Sequence, residues 1–321
     1  MQQIDHDALV ERLRHPDARE RQMALMALED AAGPESVEAL LLAVEDTDPL
    51  VRRLAIGLLE ELGDARAVPL LIRRLLDPDR EVKEAASSAL REFRGEEAAL
   101  PLIEAIGHEQ PEVRRWVIVG LRELKDLRAV TPLVRALDDE SAAVRREAVI
   151  TLAYLRLPES VSPLRRRLRD PDENVRRVAV GALAYFNGPS LLEDFLASLG
   201  DPDWRVRVEA AIVLGRSGLS GAIGGLRASL ADSYWQVQKE AIASLGRLAA
   251  SAASAELIEF LRSDVADLRR AAAYALGELG AARATAPLAA LLEDPDVEVR
   301  KAAARALDAI GAGDDTPARF N

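Results

Sequence analysis

Histidine is the side chain most often used as a general base or metal ligand near neutral pH. This 321-residue chain has three: His6, His15 and His108. Only His108 is followed by a glutamate, Glu109, and a single such pair cannot build a two-metal site. Cysteine is absent, which removes disulfides, cysteine–zinc and iron–sulfur centres and thiol nucleophiles. Gly218, Gly221, Gly224 and Gly225 cluster, yet no Gly-Lys-Ser/Thr follows, so they do not spell a phosphate-binding loop. Carboxylates are abundant, and none stands at a position that singles it out as an acid/base pair. These residues give no catalytic, metal or cofactor site.

The side chains suited to recognition are the aromatics. All three tryptophans and all four tyrosines lie between positions 116 and 274: Trp116, Tyr154, Tyr185, Trp204, Tyr234, Trp235 and Tyr274. Arg115 and Arg146 accompany them. Exposed aromatics with arginine nearby are the usual anchors of an interface. The competing reading is that each ring only covers a neighbouring helix end.

Charge narrows the partners. The chain carries 42 basic and 54 acidic residues, a net charge of −12. A duplex nucleic acid would be repelled on average. The first residues, MQQIDHDALVERL, are charged throughout and lack the apolar stretch of a signal peptide. No apolar run approaches the length of about 20 residues that a membrane-spanning helix needs. No membrane span is therefore expected, and a cytoplasmic location is the default.

What must position these side chains is a repeat. Starting from Val82, steps of 31 residues give Val51, Val113, Val144, Val175, Val206, Val237, Leu268 and Val299, with Glu20 the one polar member. Eight residues after each anchor stands leucine in all ten repeats, from Leu28 to Leu307. Four residues after it stands a small residue, alanine in nine of them and Val117 in the tenth. Positions 0, +4, +8 and +11 share one helical face. The alanines let a neighbouring helix approach, and the leucines fill the space beyond. Leu40, Leu71, Leu102, Leu133, Leu164, Phe195, Leu226, Leu257 and Leu288 mark a second helix, together with the Val44-to-Leu292 column four residues on. Aspartates 17, 48, 79, 172, 203 and 296 fall where an N-cap is expected, several after proline. Gly63, Asn187, Gly218, Gly280 and Gly311 fall where a left-handed residue would close a helix. The pattern predicts an all-α α–α superhelix, a solenoid of about ten helical hairpins, as one domain over 1–321. Its repeats cover about 4–311 and a polar tail follows over 312–321. One hairpin cannot bury its apolar face alone, so stability comes from stacking.

Asp77-Pro78-Asp79…Val82-Lys83, Leu62-Gly63-Asp64…Ala67-Val68-Pro69 and Asp294-Pro295-Asp296…Val299-Arg300 resemble the HEAT-like repeat of the phycobilisome-lyase type. The resemblance implies the fold and says little about function. It includes bilin lyases, hydroxylases and adaptors, and fold is not function. The hydroxylases of this type use several His-Glu pairs to hold iron, whereas His108-Glu109 is alone here and reads as a turn residue in place of the usual aspartate.

Two basic columns follow the anchor. Arg21, Arg52, Lys83, Arg114, Arg145, Arg176, Arg207, Arg269 and Arg300 are expected to pair with aspartates of adjacent turns; the alternative is an anion-binding ladder. Arg53, Arg115, Arg146, Arg177, Lys239, Arg270 and Lys301 are less obviously paired and could line a groove for an acidic partner, though a solvated face is the simpler reading. The glycines at 218–225 read as a weakened first helix or a close backbone approach, or as a flexible joint, with residues 249–257 a second soft point. The leading functional expectation is a non-catalytic, monomeric scaffold that grips another protein or peptide. Its binding residues would be Arg115, Trp116, Arg146, Tyr154, Tyr185, Trp204, Tyr234, Trp235 and Tyr274 on the inner face formed by the second helices. A bilin-lyase-like or other cofactor-handling accessory is the alternative, and nucleic-acid processing comes last.

Overall fold

The computed structural model describes residues 6–314 apart from 30, 187 and 188, with the side chains of 6 and 312–314 also left aside. Every regular element among them is a helix. The chain divides into two compact units, 1–163 and 164–321.

In the first unit the helices are α1 (His6–Arg12), α2 (Ala18–Leu28), α3 (Val37–Ala43), α4 (Pro49–Leu62), α5 (Val68–Arg74), α6 (Arg80–Glu92), α7 (Glu96–Ala105), α8 (Pro111–Leu124), α9 (Val130–Ala136) and α10 (Ala142–Leu155). Odd-numbered helices are the short first members of each hairpin and even-numbered ones the longer second members. Each second helix packs on the next: α2 on α4, α4 on α6, α6 on α8, and α8 on α10.

The second unit repeats the plan. Its helices are α11 (Val161–Arg166, which crosses position 163), α12 (Glu173–Leu183), α13 (Leu192–Ser198), α14 (Trp204–Arg216), α15 (Ile223–Ala228), α16 (Trp235–Arg247), α17 (Ser254–Glu259), α18 (Ala266–Glu278), α19 (Thr285–Ala290) and α20 (Val297–Asp314). Here too α12, α14, α16, α18 and α20 pack in succession.

The predicted columns form the cores. The anchor valines, the alanine column and the leucines from Leu28 to Leu276 are buried. Burying each such leucine contributes about 1.5–3 kcal/mol. The ends depart from the pattern: Leu307 is half-buried and Leu292 is exposed. Glu20, the polar anchor, is only half-buried, and its carboxylate accepts a 2.7 Å hydrogen bond from Arg12.

The turns follow the punctuation. Asp17, Asp48, Asp79, Asp172 and Asp203 are N-caps whose side chains accept from backbone N–H groups of the next turn. Asp296 does the same for Glu298 and Val299. Gly63, Gly218 and Gly280 close their helices with φ of +66°, +69° and +58°. Lys125, Arg156 and Ala249 occupy the equivalent position with φ near +50°, where a side chain crowds the backbone. Gly311 does not close a helix: α20 runs through it to Asp314, past the expected end of the repeats at 311. One interior glycine costs a helix only about 1 kcal/mol, less than its neighbours gain by staying helical. Asn187 lies outside the described residues. Gly218 is a turn residue and not part of a first helix, whereas Gly221 and Gly225 provide the close approach that was one expectation. A Cβ on either would meet a leucine of α13, Leu192 at 2.8 Å or Leu196 at 2.5 Å.

Candidate functional site

The arginines of the first basic column are structural, whereas Lys83 does not pair as expected because His108 stands where its aspartate would be. Arg52 donates to Asp77 at 2.6 Å and to the carbonyls of Asp46 and Thr47. Arg114 is bidentate to Asp139 at 2.7 and 2.8 Å. Arg21 pairs with Asp46 at 2.7 Å. In the second unit Arg176 grips Asp201, Arg207 grips Asp232 and Arg269 grips Asp294, each with two bonds of 2.7–2.9 Å. The acceptors also take the N–H two residues on, as Asp46 does from Asp48. The paired guanidiniums hold the Asp232 and Asp294 carboxyls below the usual carboxylate range. An arginine so engaged has little left for an external anion.

His108 fills one acceptor slot. Its Nδ1 accepts the N–H of Gln110 at 3.0 Å, as an aspartate would. The turn role expected for it is what the structure shows.

In the first unit α8 and α10 carry the expected recognition residues. Arg115 lies over the half-buried Trp116 ring, 4.4 Å from its centroid. Arg146 is committed to a carboxylate that sequence reasoning passed over. Glu147 is buried and shared by Arg146 at 2.9 Å and by Arg122 of α8 at 2.8 Å. Glu147 stands three residues after its anchor, the same position Trp116 holds one repeat earlier, and that shared column was the signal available. Tyr154, at the far end of α10, is exposed; its hydroxyl hydrogen-bonds Glu123 at 3.2 Å and Lys125 lies 5.2 Å from its ring.

In the second unit Trp204 and Tyr234 are brought together. Their rings stack with centroids 5.8 Å apart and planes 13° from parallel. Arg205 lies 5.0 Å from the Trp204 ring and Arg207 lies 5.5 Å from Tyr234. Trp235, exposed at the start of α16, has Lys239 at 5.6 Å. Tyr274, midway along α18, takes a 3.4 Å hydrogen bond from Arg305. Tyr185 is 60% exposed in the 3₁₀ turn after α12.

The expected single stripe is therefore resolved into levels. Trp204, Tyr234 and Trp235 stand at the N-terminal ends of second helices, Trp116 and Tyr274 along the middle, and Tyr154 and Tyr185 at the C-terminal ends. Across a helix of about 13 residues these ends are about 18 Å apart. The cause is register: an aromatic two residues before the anchor and one ten residues after it share a helix but not a level.

Sequence reasoning also missed a groove of 250 Å³ between α16 and α18. Ala243, Ala271 and Ala275 floor it. Lys239, Arg247, Arg270, Glu240, Asp267, Glu278 and Tyr274 rim it. Close by in the fold order, Glu209 of α14 is a half-buried carboxylate whose pKa is raised by burial, against the opposing pull of Arg177 and Arg216. Among the described residues no helix is long and apolar enough to cross a membrane.

Residues 6–91, 99–173, 161–246 and 254–318 match the family described as HEAT repeats. No curated protein sequence matches the chain. Among solved structures, the X-ray structure of Escherichia coli YibA is similar at 22% identity and a TM-score of 0.64, over 80% of this chain and 95% of that one. A mutant of Kap121p is similar at 15% identity and a TM-score of 0.72, over 95% and 41%. Kap95p, in a structure with RanGDP, is similar at 12% identity and a TM-score of 0.64, over 96% and 49%. The chain thus spans less than half the length of the two Kap proteins, and at these identities the likeness is one of fold. With an all-helical α–α superhelical architecture and four matching segments over most of its length, the chain belongs to the HEAT-repeat family.

Proposed function

We propose that this chain is a non-catalytic scaffold that holds another protein or peptide on the inner, concave face formed by its second helices. The observation that carries the reading is the Trp204–Tyr234 stack with Arg205 and Arg207 against its rings. Two large rings kept partly exposed, and oriented by cations, supply contact area at small entropic cost. In the first unit Arg115 and Trp116, beside the Arg122–Glu147–Arg146 cluster, offer a second anchor of the same kind. The similarity in fold to Kap95p, a protein solved in its binding to RanGDP, supports the same direction.

The likeness to the phycobilisome-lyase type rests on the spelling of the repeats, and no residue set among the described residues favours a bilin over a peptide. The experiment is comparative capture: immobilised wild-type chain against Trp204→Ala and Trp116→Ala variants that melt at the wild-type temperature. A partner recovered by the wild type and lost by either variant supports the reading. Recovery unchanged by both substitutions overturns it.

A further inference from the structure

The cations of the second unit are not all equally engaged. Arg176, Arg207 and Arg269 are each locked to an aspartate by two bonds of 2.7–2.9 Å. Other second-helix cations vary: Arg270 pairs with Asp267 and Lys301 with Glu298, whereas Arg177 and Lys239, two residues after their anchors, and Arg216 and Arg247, ten after theirs, form no close ion pair. Arg177 and Arg216 flank Glu209, yet neither makes a hydrogen bond or close ion pair among the described residues, and the Nε of Arg177 is buried without a partner. Lys239 and Arg247 lie 3.8 and 3.9 Å from the two oxygens of Glu240, beyond hydrogen-bond range. Arg216 and Arg247 are exposed and Arg177 and Lys239 half-buried. Arg247 also donates to Ser244 Oγ at 3.1 Å and Lys239 lies by the Trp235 ring. Each of the four is left with donors for a further acceptor, and two of them rim the 250 Å³ groove against α18.

Charge distribution points the same way. Residues 1–163 hold 32 acidic and 22 basic side chains, whereas residues 164–321 hold 22 and 20. The net negative charge belongs almost wholly to the first unit, so an anionic segment meets little general repulsion on the second.

We propose that the second-helix face of residues 164–321 binds an extended acidic segment of a partner protein, with carboxylates meeting Arg177, Arg216, Lys239 and Arg247. This rests on the scaffold reading and names the chemistry of its partner. Packed helices stand about 8–10 Å apart. An extended chain advances about 3.3 Å per residue. An acid at every third residue therefore meets a new helix each time, and the uncharged residues between pass over Glu209, Glu240, Glu278 and Asp267, the last already paired with Arg270. A single-stranded nucleic acid, charged at every nucleotide, would set some phosphates against those carboxylates. The small floor of Ala243, Ala271 and Ala275 lets the backbone of such a segment lie close, with Trp235 and Tyr274 as flanking contacts.

The test uses the full-length protein and a labelled 15-residue peptide with glutamate at every third position and serine or glycine between. Fluorescence anisotropy at low ionic strength should show saturable binding. Affinity should fall at least tenfold for the glutamine version of the peptide, and at least tenfold for the Lys239→Glu, Arg247→Glu double variant. The milder Lys239→Gln, Arg247→Gln pair, checked by thermal melting, should weaken binding in the same direction. Arg66→Glu, on the first-helix side of the other unit, should leave it unchanged. Equal affinity for the glutamine peptide, or no binding at low salt, overturns the proposal. So does tighter binding of a single-stranded oligonucleotide of matched length that the same charge reversals abolish. If the peptide fails while Trp204→Ala still loses a captured partner, the scaffold stands and only its acidic ligand falls.

Discussion

Arg207 and Asp232, 25 residues apart in sequence, are joined by two hydrogen bonds of 2.7 and 2.9 Å, while Nη1 of the same arginine holds the carbonyls of Asp201 and Pro202. One side chain thus closes its own turn and clasps the next. The rule has a corollary at the positions where it lapses. Lys83 replaces the arginine in one repeat, and the matching acceptor position holds His108 instead of aspartate. Gln238 replaces it in another, and the matching acceptor position holds Ser263. Gln238 still bonds the carbonyl of Asp232 at 2.8 Å, so the local closure survives where the clasp is gone.

Arg207→Ala should destabilise the protein by about 2–3 kcal/mol, because it leaves Asp232 largely buried without its partner. Urea denaturation measures this. Building the missing rung with Gln238→Arg and Ser263→Asp should give a favourable coupling of about 1 kcal/mol in a double-mutant cycle, larger than either change alone.

The ladder also sets an acid limit. The carboxyls of Asp232 and Asp294 are lowered chiefly by hydrogen bonds from Arg207 and Arg269, against the opposing effect of burial. A depressed folded value means the stabilisation is complete above the unfolded aspartate value, about 3.9, and is lost as pH falls through the folded one. Thermal stability should therefore be flat near neutrality and decline below about pH 4. Asp232→Asn should be less stable than wild type at pH 7 and converge with it in acid.

Glu209 should behave in the opposite sense. Burial raises its pKa, Arg177 and Arg216 pull against it, and the backbone of Gly181 lies beneath it, where a Cβ would come within 3.0 Å of its carboxylate. A raised folded value is a cost that appears as pH rises through the usual carboxylate range and is complete above the folded value. Glu209→Gln should stabilise slightly at pH 8, and the gain should vanish near pH 4. Melting curves at the two pH values decide it.

Two backbone positions give predictions of opposite sign. A Cβ on Gly246 would lie 3.0 Å from both Cα and Cβ of Ala275, so Gly246→Ala should force α16 and α18 apart and cost about 1–3 kcal/mol. Ala249 holds a left-handed conformation with φ of +50°, so Ala249→Gly should stabilise by up to about 1 kcal/mol. Chemical denaturation of the two variants tests both.

The cores were legible because a 31-residue period leaves little freedom: Ala24 and Leu28 recur as Ala272 and Leu276, and all four are buried. The N-caps were legible for the same reason, since Asp48 and Asp203 do one backbone job that few side chains can do. Helix ends were less so. Gly311 resembles a terminator and lies inside α20, because spelling alone does not tell whether the chain must turn. The recognition residues were legible as types and not as positions. Tyr234 falls just short of a full period from Trp204, and that offset is what lets a helix-start ring and an N-cap ring stack. Glu147 and the α16–α18 groove escaped because a charged residue on a second helix looks the same in sequence whether two arginines hold it or water does.

The paired lapses at His108 and Ser263 have a mechanical meaning. A clasp that reaches a single neighbour transmits no load past it, so each missing one marks a perforation at which its unit tears. Under tension, or in slow exchange of amide hydrogens, the seams ahead of α8 and α18 should open before their neighbours, and the helices on either side of each perforation should come away as blocks.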